Sequence, residues 1–207
     1  MKGEFWKEAW AKRRTGFHAE RPNAFLVEHW SALELHEGAR VFVPLCGKSL
    51  DLHWLHGKGY HVIGAELVEQ AVVELFTEMH LTPDVTTHGE LRLHSAERMD
   101  ILVGDVFAVE AEHVGRVDAV YDRAALVALP PGMRERYVPH ILDLTEQAPQ
   151  LLVVFEFGGD ELGGPPFGIS EAEVRQRYGG FEIREVGRVA VDMARHPAHS
   201  VARLLKC

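Results

Sequence analysis

The chain has 207 residues, which suits one domain with a sizeable buried core. Apolar residues make up 46% of it and charged residues 26%, proportions typical of a folded, water-soluble protein. Acidic residues outnumber basic ones by 31 to 22, and this excess argues against nucleic acid or an anionic membrane as a partner, because both are repelled by a net charge of −9.

Hydrophobic periodicity predicts helices and strands that alternate along the first half of the chain. In chain order we expect an amphipathic helix over residues 4–14, a helix over 24–33, a strand over 40–45, a helix capped by Ser49 and ending near 57, a strand ending at Ala65 or Glu66, and a helix over 68–80. The charged start "MKGEFWKEAW" lacks the apolar core of a secretory signal.

Residues 82–98 are polar, and their pattern fits an extra strand or one arm of a hairpin. The later predicted elements are a strand before Asp105, a strand over 117–121, a helix opened by prolines near 130, a strand from 150, a helix capped by Ser170, and strands over 181–188 and about 200–205. Strand alternating with helix predicts an α/β fold with a doubly wound, mostly parallel sheet. The last two strands lie close together in sequence, which indicates an antiparallel edge hairpin. Because no linker or repeat is visible, we expect one domain over 1–207.

Cysteine and histidine usage limits the chemistry. Cys46 and Cys207 form no disulfide framework, which favours a reducing cytoplasm. The 13 histidines are scattered without metal-ligand spacing, so no metal site is predicted. No apolar run is long enough to span a bilayer. The sequence also offers no obvious dimer seam, so we expect a monomer.

The stretch "PLCGKS" follows the first strand and should line a ligand crevice, because ligands bind beyond the carboxyl ends of such strands. A phosphate loop would need a glycine where Phe42 stands, and a dinucleotide loop needs three glycines where only Gly47 is present. A cofactor without a pyrophosphate fits better. Glu66 is placed to accept hydrogen bonds from ribose hydroxyls, and Asp105 lies where an adenine edge would be. Together they suggest S-adenosylmethionine, with a solvated strand-end acid as the alternative for Glu66.

Two further motifs have alternative interpretations. Asp122 and Arg123 form either an ion pair at a helix start or a site in which Arg123 faces the cofactor or the acceptor, where a guanidinium can stabilise an anionic nucleophile. We treat Arg203 as an ordinary surface arginine. The stretch "GGPPFGIS" is a rigid turn or another wall of the crevice. Cys46, just before a helix start, has an alternative role as a nucleophile of lowered pKa.

Five stretches resemble the thiopurine S-methyltransferase family, its bacterial members most closely: "FWKEAWAKRRTGFH", "VPLCGKSLDLHWL", "GYHVIGAELVEQAV", "YDRAALVALPPGMRERYV" and "GGPPFGIS". The resemblance implies a class I, Rossmann-like methyltransferase fold with seven strands, an antiparallel edge strand, and residues 1–35 as a helical segment covering the cofactor site. It also implies S-adenosylmethionine as donor. The implied cofactor contacts are Trp10, Leu45, Glu66, Asp105, Val106 and Arg123, with Arg123 also catalytic and Phe17 bordering the acceptor.

The reaction implied by this resemblance is methyl transfer to the sulfur of aromatic or heterocyclic thiols such as thiopurines. An inorganic selenium or tellurium acceptor is an alternative for the same fold and cofactor. A non-catalytic module that binds an adenosine ligand is a more distant alternative. A NAD-dependent oxidoreductase is disfavoured by the missing glycines.

Overall fold

The computed structural model describes residues 3–14, 19–157, 164–193 and 196–207. Seven α-helices lie in this part of the chain: α1 (Gly3–Ala11), α2 (Ala24–His29), α3 (Leu50–Gly57), α4 (Glu69–Glu78), α5 (Ala111–Val114), α6 (Pro131–Leu144) and α7 (Glu171–Arg177). Short 3₁₀ turns occupy Trp30–Leu33, Val106–Ala108 and Leu126–Ala128. None of the helices among the described residues is long and apolar enough to cross a membrane.

The described ranges contain nine strands in one sheet: β1 (Arg40–Pro44), β2 (His61–Glu66), β3 (Asp84–His88), β4 (Leu91–Ala96), β5 (Met99–Val103), β6 (Ala119–Arg123), β7 (Gln150–Glu156), β8 (Glu182–Met193) and β9 (His196–Lys206). Their order across the sheet is β3-β4-β5-β2-β1-β6-β7-β9-β8. The prediction of seven strands was wrong by two, because β3 and β4 form a hairpin that extends the sheet beyond β5. Every residue of β3 is exposed, so this strand lacks the apolar alternation by which a strand is recognised in sequence.

The central five strands are parallel, and their side chains alternate between two cores. Phe42 packs into a cluster with residues of α6 and α7, whereas its neighbours Val41 and Val43 pack into a second cluster with residues of α2, α3 and α4. Helices therefore cover both faces, which confirms the doubly wound arrangement. The sheet order reverses at β1, which pairs with β2 on one side and β6 on the other.

The boundaries of β6 decide what its last two residues do. This strand runs over Ala119–Arg123 rather than 117–121, because Val41 pairs with Ala119 and Asp118 bonds to the start of β1. Asp122 and Arg123 are therefore consecutive strand residues and point to opposite faces of the sheet.

The C-terminal hairpin is antiparallel, as predicted, but longer than expected. Its second strand, β9, lies between β7 and β8. Arg203 on β9 is consequently 1% exposed and pairs with Glu156, so its treatment as a surface arginine was wrong.

Candidate functional site

A cleft of about 640 Å³ opens beyond the carboxyl ends of the parallel strands, and its size is in the usual range for small-molecule sites. Its walls come from α1, from the segments that follow β1, β2, β5, β6 and β7, and from the start of α6. Predicted site residues that line it are Trp10, Leu45, Glu66, Asp105, Val106 and Arg123. Phe17, the predicted acceptor contact, lies outside the described residues.

The segment after β1 forms a tight turn into α3. Leu45 and Gly47 both have positive φ, 46° and 54°, and Ser49 caps α3 by accepting a hydrogen bond from the amide of Asp51. The Lys48 ammonium contacts the carboxylates of Glu74 and Glu78 on α4, at 2.8 and 2.5 Å. The lysine of "GKS" is thus engaged by a neighbouring helix, which argues against the phosphate-loop interpretation.

Glu66 ends β2 with its carboxylate buried against the turn. Its Oε2 accepts a hydrogen bond from the Gly47 amide and its Oε1 accepts one from the Val68 amide, each at 2.8 Å. Burial raises the pKa of Glu66, and the two amides oppose that rise. A carboxylate fixed in this way retains acceptor capacity on both oxygens toward the cleft. Glu66 is therefore not the solvated strand-end acid of the alternative interpretation.

The segment after β5 presents Asp105, Val106 and Phe107 to the cleft. Asp105 caps the 3₁₀ turn by accepting a hydrogen bond from the Phe107 amide at 3.0 Å. The Val106 carbonyl lies 2.8 Å from Nε2 of His140 on α6. Because a carbonyl only accepts, that nitrogen is the donor, and the bond fixes the turn against α6.

Arg123 faces the cleft, and a buried acid sets its orientation. Its Nε donates to Oδ2 of Asp51 at 2.6 Å and its Nη2 donates to Oγ of Ser49 at 3.0 Å. Asp51 is 1% exposed and also accepts hydrogen bonds from the Tyr121 hydroxyl and from the backbone N–H of Asn23. Burial disfavours the charged guanidinium, but the Asp51 carboxylate outweighs that effect and raises the pKa of Arg123. Arg123 is a fixed cation in the lining of the cleft.

Asp122 points to the other face, so the Asp122–Arg123 ion pair considered above does not form. Asp122 accepts hydrogen bonds from the Tyr137 hydroxyl at 2.7 Å and from the Leu126 amide at 3.1 Å. Burial raises its pKa from 3.8 to about 6, against the opposing effect of those donors. The fold thus contains a buried acid that takes up a proton at a higher pH than an exposed aspartate does.

Replacing Asp122 with asparagine is expected to flatten the pH dependence of stability between about pH 4 and pH 7. The folded-state pKa is higher than the unfolded one, so the native state binds more protons and loses stability as the pH rises through this range. A rise from 3.8 to about 6 corresponds to a loss of about 3 kcal/mol in the free energy of unfolding. Urea titrations at pH 4.5 and 7.5 measure the part of this loss that falls between those two pH values, about 2 kcal/mol.

The matched control is Asp143→Asn, since Asp143 is exposed on α6. The neutral asparagine at 122 can still accept from Leu126 and donate to Tyr137. If both variants kept the wild-type pH slope, Asp122 would not be the titrating group.

Cys46 does not have the properties of an activated nucleophile. It is buried, and both its burial and the neighbouring Glu66 carboxylate raise the pKa of its thiol well above the ordinary value. The alternative of a lowered pKa was therefore wrong, because the residue packs beneath the turn instead of lying at an open helix start.

Helix α1 lies over the β1 and β2 ends of the cleft. Trp10 is 3% exposed, packs with Val68 and Ala71, and has its ring 3.4 Å from the position that a Cβ on Gly47 would occupy. A Cβ at position 47 would only be in ordinary contact with the indole, so it is the positive φ of 54° that favours glycine there. Trp10 is both packed against α4 and part of the cleft wall.

Sequence reasoning missed the residues that support the site. Asp51 contacts Arg123 from 72 positions away, and its only sequence signal is a charge within an otherwise apolar helix start. The wall formed by Leu129 and Met133 was likewise not singled out, whereas the "GGPPFGIS" stretch, considered above as another wall, does line the cleft through Pro165 and Pro166. In the described part of the chain, no group of three or more His, Cys, Asp or Glu residues is placed to hold a metal ion.

The chain is similar to known proteins in both sequence and structure. The family model described as thiopurine S-methyltransferase matches residues 1–206. Thiopurine S-methyltransferase of Xanthobacter autotrophicus is 52% identical over 180 residues, covering 86% of this chain and 84% of that protein. The protein of the same name from Pseudomonas syringae pv. pisi is 44% identical over 208 residues, covering 100% and 93%.

Solved structures share the fold at low sequence identity. A methyltransferase from Burkholderia thailandensis, with bound 1,6-didemethyltoxoflavin and S-adenosylhomocysteine, aligns with a TM-score of 0.66 and 18% identity over 99% of this chain and 86% of that one. Magnesium protoporphyrin IX methyltransferase from Synechocystis, with bound S-adenosylhomocysteine, aligns with a TM-score of 0.63 and 14% identity over 99% and 100%. The Rossmann-like fold of class I methyltransferases is thereby confirmed.

Proposed function

The chain belongs to the thiopurine S-methyltransferase family, and we propose that its cleft joins a donor half, at the ends of β1, β2 and β5, to an acceptor half, at the ends of β6 and β7. The protein is a methyltransferase that uses S-adenosylmethionine. Its proposed acceptor is the sulfur of an aromatic or heterocyclic thiol of the thiopurine kind.

The residues of the donor half suit an adenosine bearing a positively charged tail. The Glu66 carboxylate is held in place to accept from ribose hydroxyls, and Asp105 with Val106 flanks the position proposed for the adenine. Leu45 and Trp10 supply apolar contact for the tail. This donor set needs no glycine-rich cradle, because the ligand carries no pyrophosphate to bind.

The acceptor half is mainly apolar. It is lined by Val127, Ala128, Leu129, Met133, Phe155, Pro165 and Pro166. Such a surface favours a flat, weakly hydrated ring over a small, strongly hydrated anion. The observation that carries the proposal is that Arg123 lies between the donor half, which contains the buried Glu66, and the apolar acceptor half.

When bound, S-adenosylmethionine would supply a methyl carbon activated by a positively charged sulfur. In-line attack by an acceptor sulfur would form one carbon–sulfur bond as the bond to the donor sulfur breaks and S-adenosylhomocysteine leaves, so no covalent enzyme intermediate is needed. Arg123 is proposed to stabilise the acceptor as a thiolate, the reactive form of sulfur. Aromatic thiols ionise readily, so a strong general base is unnecessary. Asp122, bonded to Tyr137 on the opposite face, does not face the reacting atoms. The apolar walls exclude water and align the reactants.

Residues 5–18 are proposed to act as a lid over the donor half. The support comes from α1, whose Trp6 and Trp10 line the cleft and pack on Leu67 and Val68. The proposed lid is the part of residues 1–35, the segment expected to cover the cofactor, that lies nearest the donor half.

Replacing Trp10 with alanine is expected to weaken S-adenosylmethionine binding about tenfold, because a buried indole that contacts the turn would be lost. Isothermal titration calorimetry measures the affinity, and circular dichroism confirms that the sheet is intact. Val27→Ala, an exposed position on α2, is the control. Equal affinities in both variants would refute the lid.

Titration of the protein with S-adenosylmethionine, followed by turnover assays, tests the proposed function. We expect one site per chain and transfer of the methyl group to 6-mercaptopurine. Selenite, assayed in parallel, represents the metalloid alternative. Turnover of selenite without turnover of the thiol would overturn the proposed acceptor, and binding without any turnover would favour the non-catalytic module.

We also propose a monomer located in the cytoplasm. The cytoplasm is supported by Cys46 and Cys207, which are both free thiols, as expected in a reducing compartment.

A further inference from the structure

Arg134, on the first turn of α6, is buried next to the acceptor half, with 3% of its side chain exposed. Burying a guanidinium is costly unless its donors are satisfied, so each of its contacts reports what the residue holds in place. Those contacts are made to two separate walls of the acceptor half.

The first wall is the segment after β6. The Nε of Arg134 donates to the Leu129 carbonyl at 2.7 Å. Leu129 lines the cleft immediately after the 3₁₀ turn, and Met133, the residue before Arg134, lines it as well. Arg134 therefore anchors this wall from behind, on the side away from the ligand space.

The second wall is the segment Pro165–Gly168. The guanidinium lies 5.4 Å from the centre of the Phe167 ring, and Nη1 lies 3.4 Å from the Gly168 carbonyl. The Phe167 amide donates to the Val127 carbonyl at 2.7 Å, so the two walls also bond directly to each other. Pro165 and Pro166, which face the cleft, come just before these contacts.

Glu173 on α7 holds the guanidinium in this orientation. Its two oxygens lie 3.0 and 3.1 Å from Nη1 of Arg134, and its own amide donates to the Ser170 side chain. A planar fork with donors on separate edges can serve Leu129 and Glu173 at once, whereas a lysine ammonium is a single point. The first turn of α7 is thus connected to the acceptor walls through one side chain.

We propose that Arg134 is a positioning residue that sets the separation of the Leu129 wall and the Pro165–Pro166 wall, and thereby which aromatic thiols the enzyme accepts. This inference rests on the proposed function. It predicts selectivity between acceptors of different width, because a two-ring acceptor has to fit between both walls and a one-ring acceptor need not contact both.

The test compares Arg134→Met and Glu173→Gln with wild type, using 6-mercaptopurine and thiophenol as the two acceptors. We expect KM for 6-mercaptopurine to rise about tenfold in Arg134→Met and about threefold in Glu173→Gln, with a smaller change for thiophenol, because displaced walls misplace the wider ring. The affinity for S-adenosylmethionine, measured by calorimetry, should stay at the wild-type value in both variants.

The matched control is Glu171→Gln on the same helix. Glu171 forms an ion pair with Arg175 in which the side chains are 51% and 58% exposed, away from the cleft. This variant should keep the wild-type ratio of kcat/KM for the two acceptors. A third measurement is the calorimetric affinity for S-methylated 6-mercaptopurine in the presence of S-adenosylhomocysteine, which tests the position of the walls without turnover. This affinity should fall in the same variants in which KM for 6-mercaptopurine rises.

Three outcomes decide the inference. A changed ratio of kcat/KM for the two acceptors, with unchanged affinity for S-adenosylmethionine, supports it. An unchanged ratio, or donor and acceptor affinities that fall together, overturns it and leaves Arg134 with a general structural role. If Arg134→Met does not fold, Glu173→Gln decides alone. A wild-type protein that methylates neither thiol shows instead that the proposed function has failed.

Discussion

Replacing Arg123 with methionine is expected to lower kcat/KM for thiol methylation by about 10²- to 10³-fold, the usual cost of removing one fixed donor that stabilises developing or bound negative charge. The guanidinium is the cation that Asp51 and Ser49 hold at the junction of the two halves of the cleft. Methionine has a similar length and no charge, so the cavity keeps its approximate shape.

The pH profile separates a role on the acceptor from a role in folding. Without a nearby cation the bound thiol ionises at higher pH, so the acid limb of kcat, which reports groups in the bound complex, should move upward. Arg123→Lys should give an intermediate loss, because it keeps a charge for Asp51 but not the fork that also reaches Ser49. Arg175→Met is the control, at an exposed position on α7. Similar losses in Arg123→Met and Arg175→Met would remove Arg123 from the mechanism.

Replacing Glu66 with glutamine is expected to weaken S-adenosylmethionine binding by about 10- to 100-fold, because hydrogen bonds to a charged acceptor contribute more than neutral ones. The substitution also has a structural effect. The carboxylate accepts from the Gly47 amide and the Val68 amide, and a carboxamide would oppose one of these donors with its own N–H group. The turn after β1 should therefore loosen as well.

Calorimetry gives the affinity and the number of sites per chain, and thermal unfolding without ligand reports the loosened turn. Glu69→Gln is the control, since Glu69 lies in the first turn of α4 and pairs with Arg92 at the surface. Wild-type affinity in Glu66→Gln would mean that the ribose is held elsewhere, and the assignment of the donor half to the β2 end would then be withdrawn.

The parts of the site that follow from local sequence were predictable. Ser49 caps α3 as expected, and Glu66, Asp105 and Arg123 line one cleft because the carboxyl ends of parallel strands meet at one edge of the sheet. A strand end is recognisable from a few neighbouring residues. Three such ends therefore predict a site even before the order of the strands is known.

The parts that depend on distant partners were not predictable. Asp51 has its role because it hydrogen-bonds to Arg123 and Tyr121. Arg134 likewise depends on its hydrogen bonds to Glu173 and Leu129. All of these partners except Leu129 are far away in sequence, and the local pattern does not indicate any of them. Arg203 was misjudged for the same reason, because a strand inserted between two others buries an arginine that would be exposed on an edge. Strand β6 begins and ends two residues later than predicted, so it includes Asp122 and Arg123. For that reason the two side chains point to opposite faces of the sheet and do not form the ion pair that was considered.

The position of β9 between β7 and β8 has a consequence for how the chain folds. Strand β7 pairs with β9, from Gln150 opposite Leu205 to Glu156 opposite His199. Because β9 is synthesised after both α7 and β8, this pairing cannot form until the end of synthesis. Until then β7 has an open edge, and β8 has no neighbour in the sheet. Such non-local pairing slows folding and exposes a strand edge to other chains. Aggregation of incompletely synthesised chains should therefore begin at the open edge of β7. A chain truncated within β9 would lose β9 and also the contact that attaches β8 to the sheet.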